Sequence, residues 1–210
     1  MDIVNYLTNI YGYGVPIFLK DVRIGRKSKS AVKEELYRAV KNGKMERNAP
    51  GIYSIVRKDE DFPEVVTFEK IVEKKFLYEV DGPFKELFVI GYYSGMTFLN
   101  RIGLSEQVPM VLEITTNNTS GNKRTYAIGK RRAFIRKGKT TITSQNYKML
   151  QFLDMFRWLP MYIVKERKKQ IIEYIKKEQL SRFQFNQYIS LYPTDTIKKI
   201  VDTKLIDSFI

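Results

Sequence analysis

Two residue types are missing from the 210-residue chain altogether, cysteine and histidine. Without thiols there is neither a disulfide framework nor a cysteine-bearing zinc site. Without imidazole the chain lacks the commonest general base and zinc ligand, which excludes Ser-His-Asp catalysis. Long apolar runs are missing too. None approaches the roughly 18 to 20 residues that span a bilayer, and the first residues, with Asp2 and Asn5, lack a signal peptide's basic start and apolar centre. The expectation is a cytoplasmic protein with no membrane partner. Acidic residues are scarce beside basic ones, 23 Asp plus Glu against 37 Lys plus Arg, a formal net charge of +14. Such an excess favours a polyanionic partner.

The chain does contain apolar patterning, 43% hydrophobic and 13% aromatic residues, enough to bury a medium core. In residues 2–11 the positions of Ile3, Leu7 and Ile10 predict a helix stopped by the glycines at 12 and 14. Pro16 opens a stretch that reads as a short second helix closed by Gly25. Val32, Leu36, Ala39 and Val40 predict a third helix over about 28–42, with Gly43 as its left-handed stop. "KMER" and "GIYSIV" then read as two short strands joined across "NAPG". Helix, short helix, longer helix and hairpin predict a winged helix-turn-helix over 1–60, the first domain of an α+β protein.

That fold lays its third helix in the DNA major groove and its hairpin on the flanking backbone. From Lys20 to Arg47 there are ten basic and four acidic residues. Lys27, Lys29, Lys33 and Arg47 are the expected phosphate contacts, Ser30, Lys33 and Tyr37 the expected readers of base edges, and Arg38 and Asn48 complete the expected DNA-binding set. A helix carrying charges is also what any solvated helix face looks like, so the pattern has a plain structural reading beside the functional one.

A charged run with a proline, "VRKDEDFPE", places a linker near 58–63 and a second domain over 61–210. Residues 66–80 read as a helix through Phe68, Ile71, Val72, Phe76 and Val80, "ELFVIGYY" as one short buried strand, and Met96 to Ile102 as a helix ended by Gly103. A central strand is expected between Met110 and Thr116, with two or three more between residues 123 and 143. Between Lys123 and Lys139 there are eight basic residues and no acid, and Lys130, Arg131, Arg132, Arg136 and Lys137 are the expected basic partner surface. Lysines that blunt an edge strand would look the same. The last third reads as a helical tail with Ser181 and Thr194 as N-caps, and its aromatics Phe156, Trp158, Tyr162 and Phe183 read as core. Ser94, which invites a nucleophile reading, lacks the G-x-S-x-G spacing, since Tyr92 and Met96 stand where glycines are needed, and reads as a turn serine capping the next helix.

Two blocks of residues carry a family resemblance. Asp21-Val22, Ser30-Ala31-Val32, Leu36, Gly43-Lys44-Met45, Arg47 and Gly51-Ile52-Tyr53 resemble the N-terminal winged helix of AbiEi-type antitoxins. Ser94-Gly95, Leu99-Asn100, Gly103-Leu104-Ser105 and Gln107-Val108-Pro109 resemble a block of the same family's C-terminal domain, with Met96, Thr97 and Phe98 where relatives often have small residues. The resemblance covers roughly residues 15–145. It implies the antitoxin of a bacterial type IV toxin-antitoxin pair, a class linked to abortive infection by phage, with a nucleotidyltransferase toxin as direct or indirect partner. It further implies repression of its own operon through double-stranded promoter DNA. The reading adopted is a repressor and antitoxin, with no catalysis, no cofactor and no metal expected. Two alternatives stand beside it. One is a one-component transcriptional regulator whose C-terminal domain senses a ligand. The other is a Mg²⁺-dependent nucleic-acid enzyme drawing on Asp154, Glu166, Glu173 and Glu178, which would need two or three of these acids to converge.

Overall fold

Asp2 starts the first helix by accepting a hydrogen bond from the Val4 backbone N–H at 3.1 Å, and helix α1 runs from Ile3 to Tyr11 with Ile3 and Leu7 buried. The computed structural model describes residues 2–57, 64–81 and 86–210. Among them the chain divides into two compact units, Met1–Lys74 and Lys75–Ile210.

In the first unit the expected second helix does not form. Ile17–Phe18 is instead a short strand, β1, followed by a single 3₁₀ turn over Leu19–Asp21. Ile17 and Phe18 are both buried and pair antiparallel with Tyr53 and Ile52, and the Leu19 N–H donates to the Gly51 carbonyl at 2.9 Å. Two adjacent apolar residues that must both be buried fit a strand with a neighbour on its edge better than a short helix with one covered face.

Helix α2, Lys29–Lys41, follows the expected pattern. The Ser28 Oγ caps it by accepting from the Ala31 N–H at 3.2 Å; Val32, Leu36 and Ala39 are buried, and Gly43 takes a positive φ of 65° just past its end. Strands β2, Met45–Ala49, and β3, Ile52–Ile55, form the expected hairpin, closed at Pro50-Gly51. A bulge between Arg47 and Ala49 leaves Asn48 without a partner in the register. The sheet order is β1-β3-β2. Leu7, Ile17, Leu36, Met45 and Ile55 form its core with Val32 and Tyr53.

The linker expected near 58–63 lies outside the described residues. Past it, helix α3 covers Phe68–Phe76. Its first part belongs to the first unit because two of its lysines donate back to that unit's backbone, Lys70 to the Gly14 carbonyl at 3.2 Å and Lys74 to the Pro16 carbonyl at 2.7 Å. Burial pushes the Lys74 ammonium below the usual lysine range.

The second unit holds two sheets and most of the helices. The helix expected to reach Val80 stops at Phe76, and Val80 lies in strand β4, Tyr78–Asp81, which pairs antiparallel with β5, Glu86–Val89. The single strand expected over 86–93 is in fact two strands of separate sheets, β5 and β6, Gly91–Tyr93. Ile90 makes the break: its N–H donates to the Leu77 carbonyl, while its own carbonyl accepts from the Asn117 N–H, each at 2.8 Å. Helix α4, Gly95–Arg101, is followed by β7, Leu112–Thr116, and by the β8–β9 hairpin, Lys123–Ile128 and Arg131–Lys137. The four strands lie in the order β6-β7-β9-β8, with β7 and β9 parallel and the other neighbours antiparallel.

Helices α5, Tyr147–Met155, α6, Met161–Glu166, α7, Lys168–Lys177, α8, Arg182–Tyr188, and α9, Thr194–Asp202, make up the tail. The broad apolar stripe of α5 is explained by burial: Met149, Leu150, Phe152, Leu153 and Met155 are all covered. Phe152 meets Phe156 and Phe209 edge to face, with ring centroids 5.1 and 5.6 Å away. Ser181 caps α8 as expected, but Pro193 rather than Thr194 occupies the cap position of α9. Phe156 is buried and Trp158 half-buried, whereas Tyr162 and Phe183 are exposed and not part of the core.

Candidate functional site

Residues four apart on a helix share a face, so Lys29, Lys33 and Tyr37 form one outward stripe of α2, flanked by Ser30. All four are exposed, Tyr37 at 60%. Lys29 and Lys33, like Arg26, Lys41 and Arg47, make no ion pair among the described residues. Arg47 is exposed on β2, a strand that packs against α2.

Three residues of the expected set behave differently. The Lys27 ammonium is drawn back onto the Glu35 carboxylate, 2.5 and 2.8 Å from its two oxygens, so its charge is internally compensated. Arg38 is paired with Glu34 one turn away at 3.2 Å. Both partners of that pair are largely exposed, so it is worth only about 0.3–0.5 kcal/mol and leaves the guanidinium open to exchange for a phosphate. Asn48 is half-buried in the bulge, and its Oδ1 is enclosed without a hydrogen-bond partner, which removes that oxygen from the surface.

The expected basic surface of the second unit is likewise divided. Lys130, Arg131, Arg132 and Lys137 are exposed at the β8–β9 turn and along β9. Arg136 is not part of that surface. It turns inward, its Nη2 donates to the Glu113 carboxylate at 3.0 Å, its guanidinium lies 4.8 Å from the Trp158 ring centre, and its Nε is enclosed without a partner. An arginine whose direct neighbour on β7 is Thr115, two residues beyond the buried Glu113 and so on the same face of the sheet, is held by that carboxylate rather than by solvent.

Glu113 also settles the role of Ser94. Ser94 is 2% exposed, stands at the cap position of α4 and makes no side-chain capping bond. The capping acceptor comes from the neighbouring strand: the Met96 N–H donates to Glu113 Oε1 at 3.2 Å, and the Glu113 N–H donates to Thr97 Oγ1 at 2.9 Å. Gly95 permits this approach with a φ of 55°, and a Cβ there would sit 2.4 Å from the carboxylate. In the other half of the same block, Asn100 Nδ2 donates to the Ser105 carbonyl at 3.2 Å. Glu113 escaped the sequence reading because a lone acid inside "VLEITT" resembles a solvent-facing strand position.

Beside this pair lies Asp154, buried on α5, accepting from Arg157 Nη1 at 2.9 Å and from Thr115 Oγ1 at 3.5 Å. Burial raises its carboxyl above the usual range, and the Arg157 charge offsets this only in part. The nearby Tyr92 and Tyr192 phenols are raised as well, chiefly by burial. A carboxyl raised in the folded state binds more protons folded than unfolded, so its ionisation lowers stability as pH rises from roughly 4. The Asp154→Asn variant should therefore show a smaller decline of stability between acidic and neutral pH than the parent, measured as Tm across that range. An unchanged slope would mean that Asp154 ionises as freely folded as unfolded.

The other acids proposed for metal chemistry are dispersed. Glu178 is paired with Lys148 at 2.8 Å and Glu166 with Arg167 at 3.4 Å, and Glu173 lies in α7. Among the described residues no three Asp, Glu, His or Cys side chains converge closely enough to hold a metal ion, and no helix is long and apolar enough to cross a membrane. No family model matches the chain, and neither a curated protein nor a solved structure matches it.

Proposed function

We propose that the protein binds duplex DNA through the first unit, acting as a winged helix-turn-helix repressor, and serves as the antitoxin of a type IV toxin-antitoxin pair. The observation that carries the DNA reading is the exposed stripe of α2, where Lys29, Lys33 and Tyr37 stand together with no acidic partner engaging the two lysines among the described residues. The element order α1, β1, α2, β2, β3 and the sheet order β1-β3-β2 support the same reading. Here the second helix of that fold is reduced to one 3₁₀ turn. In the winged arrangement α2 enters the major groove and the β2–β3 hairpin lies along the backbone, with Arg47 as its phosphate contact. Lys27 drops out of this interface because Glu35 holds it, and Arg38 joins only by exchanging Glu34 for a phosphate.

The antitoxin half of the proposal rests on the order of the two sequence blocks. The contacts around Gly95, Asn100 and Glu113 account for the second block as a packing unit. No catalytic step is assigned to it.

The expected outcome in cells is that the neighbouring gene encodes a nucleotidyltransferase toxin whose expression arrests growth, that the full chain rescues that growth, and that the chain represses a reporter driven by its own promoter. Rescue without repression would leave the antitoxin and remove the DNA reading. Repression without rescue would leave a DNA-binding regulator and remove the antitoxin.

A further inference from the structure

We propose that the outer edge of β8 is a docking site for an extended acidic segment of a partner polypeptide, which adds to the four-stranded sheet as a fifth strand. This goes beyond the DNA reading and is independent of it, since every residue involved belongs to the second unit.

The argument starts from the ladder. The Lys137 N–H donates to the Asn122 carbonyl, and β8 and β9 are antiparallel with Lys123 opposite Arg136. Hydrogen-bonded pairs alternate along an antiparallel ladder, so Arg124, Tyr126 and Ile128 exchange their backbone bonds with β9. Lys123, Thr125 and Ala127 consequently direct both N–H and C=O away from it, toward the open edge, and all three residues are exposed. Six residues at about 3.4 Å each give an edge of roughly 20 Å, the length of an ordinary strand.

Cations stand at both ends of this edge and none in its middle. Lys123 and Arg124 lie at one end, Lys130, Arg131 and Arg132 at the turn, and Thr125, Tyr126, Ala127 and Ile128 between them. All five cations are exposed; Arg124 Nη2 donates to the Asn118 carbonyl at 3.1 Å and the Lys123 ammonium lies 5.2 Å from the Phe134 ring centre, but no carboxylate neutralises any of the five among the described residues, and no acidic residue occurs between 123 and 139. The complementary strand is therefore about six residues long, β-prone in its centre and acidic at both ends.

A second copy of the same edge is excluded as occupant, because antiparallel pairing would bring the cations of each end against those of the other. Nucleic acid fits the charge but not the main chain. A phosphate backbone only accepts hydrogen bonds, leaving the three outward carbonyls with nothing to receive, whereas a polypeptide strand supplies a donor and an acceptor at each alternate residue.

The test uses the full chain and a fluorescent peptide, acetyl-Glu-Glu-Val-Thr-Val-Thr-Glu-Glu-amide, followed by anisotropy. Three modified peptides accompany it, two N-methylated at alternate residues in the two possible registers and one with every Glu replaced by Gln. The Thr125→Pro variant removes one outward N–H at an edge position where proline is tolerated. The parent peptide is expected to bind. One N-methylated register and the Gln peptide should each lose on the order of tenfold or more, and Thr125→Pro should lose about tenfold, the equivalent of one or two main-chain hydrogen bonds. The proposal is overturned if the parent peptide does not bind, or if both N-methylated registers bind as well as the parent. It is equally overturned if a duplex or single-stranded oligonucleotide displaces the peptide and binds Thr125→Pro undiminished, which would make the edge a nucleic-acid surface. Should Thr125→Pro fail to fold, the peptide series alone decides.

Discussion

Reversing Lys29 and Lys33 together to glutamate is expected to weaken binding to the promoter duplex by at least about a hundredfold at physiological salt, without unfolding the first unit. Each phosphate that a lysine neutralises releases condensed counterions, and log K falls with log salt by about 0.9 per neutralised phosphate. Replacing two cations by two anions removes two such contacts and adds repulsion. Both side chains are exposed and neither supports another residue, so the fold has little to lose. Position 29 opens the helix directly after the Ser28 cap, where a negative charge interacts favourably with the helix dipole. Titrations at several salt concentrations provide the check. The wild-type plot should be steeper than the variant's by about two contacts, and the difference in affinity should narrow as salt rises. An unchanged affinity, or a wild-type affinity independent of salt, would remove α2 from the interface.

Gly95→Ala should be among the most damaging small substitutions in the second unit, while Gly103→Ala, at the other end of the same helix, should be mild. Both glycines hold a positive φ, 55° and 73°, so any L residue pays roughly 1–2 kcal/mol of backbone strain at either one. They differ in surroundings. Around Gly103 a new Cβ meets nothing within 4 Å, whereas at Gly95 it lies 2.4 Å from the Glu113 carboxylate. Glu113 would have to move, and its movement uncouples two donors at once, the Met96 N–H at 3.2 Å and Arg136 Nη2 at 3.0 Å. Breaking a largely buried ion pair costs about 3–5 kcal/mol. The expected loss is therefore about 1–2 kcal/mol for Gly103→Ala and about 3 kcal/mol or more for Gly95→Ala, read from urea unfolding of the full chain. Equal losses would show that the Glu113 contact contributes nothing beyond backbone conformation.

Helices α1 and α2 and the β2–β3 hairpin were legible in the residue pattern because their signals are local. The spacing of Ile3 and Leu7 and of Val32, Leu36 and Ala39, the glycine stops at 12 and 43, and the Pro50-Gly51 turn each act within a few residues. The stretch after Pro16 has the local pattern of a helix but forms a strand, because what decides it is a partner more than thirty residues away, the Tyr53–Ile52 edge of β3. The same holds at Ile90, where a single residue moves the chain from one sheet to another through bonds to Leu77 and Asn117.

The candidate site divides along the same line. Composition and order alone determined that the chain is strongly basic, that it lacks imidazole and thiol chemistry, and that a helix beginning near Lys29 turns Ser30, Lys33 and Tyr37 outward, since charge counts and 3.6-residue spacing do not depend on distant contacts. Only the tertiary structure decided which cations are available. Glu35 holds Lys27 across eight positions and Glu113 holds Arg136 across twenty-three, distances in sequence at which no spacing rule operates. The free edge of β8 belongs to the same class, because whether a strand ends a sheet depends on which strands fold against it.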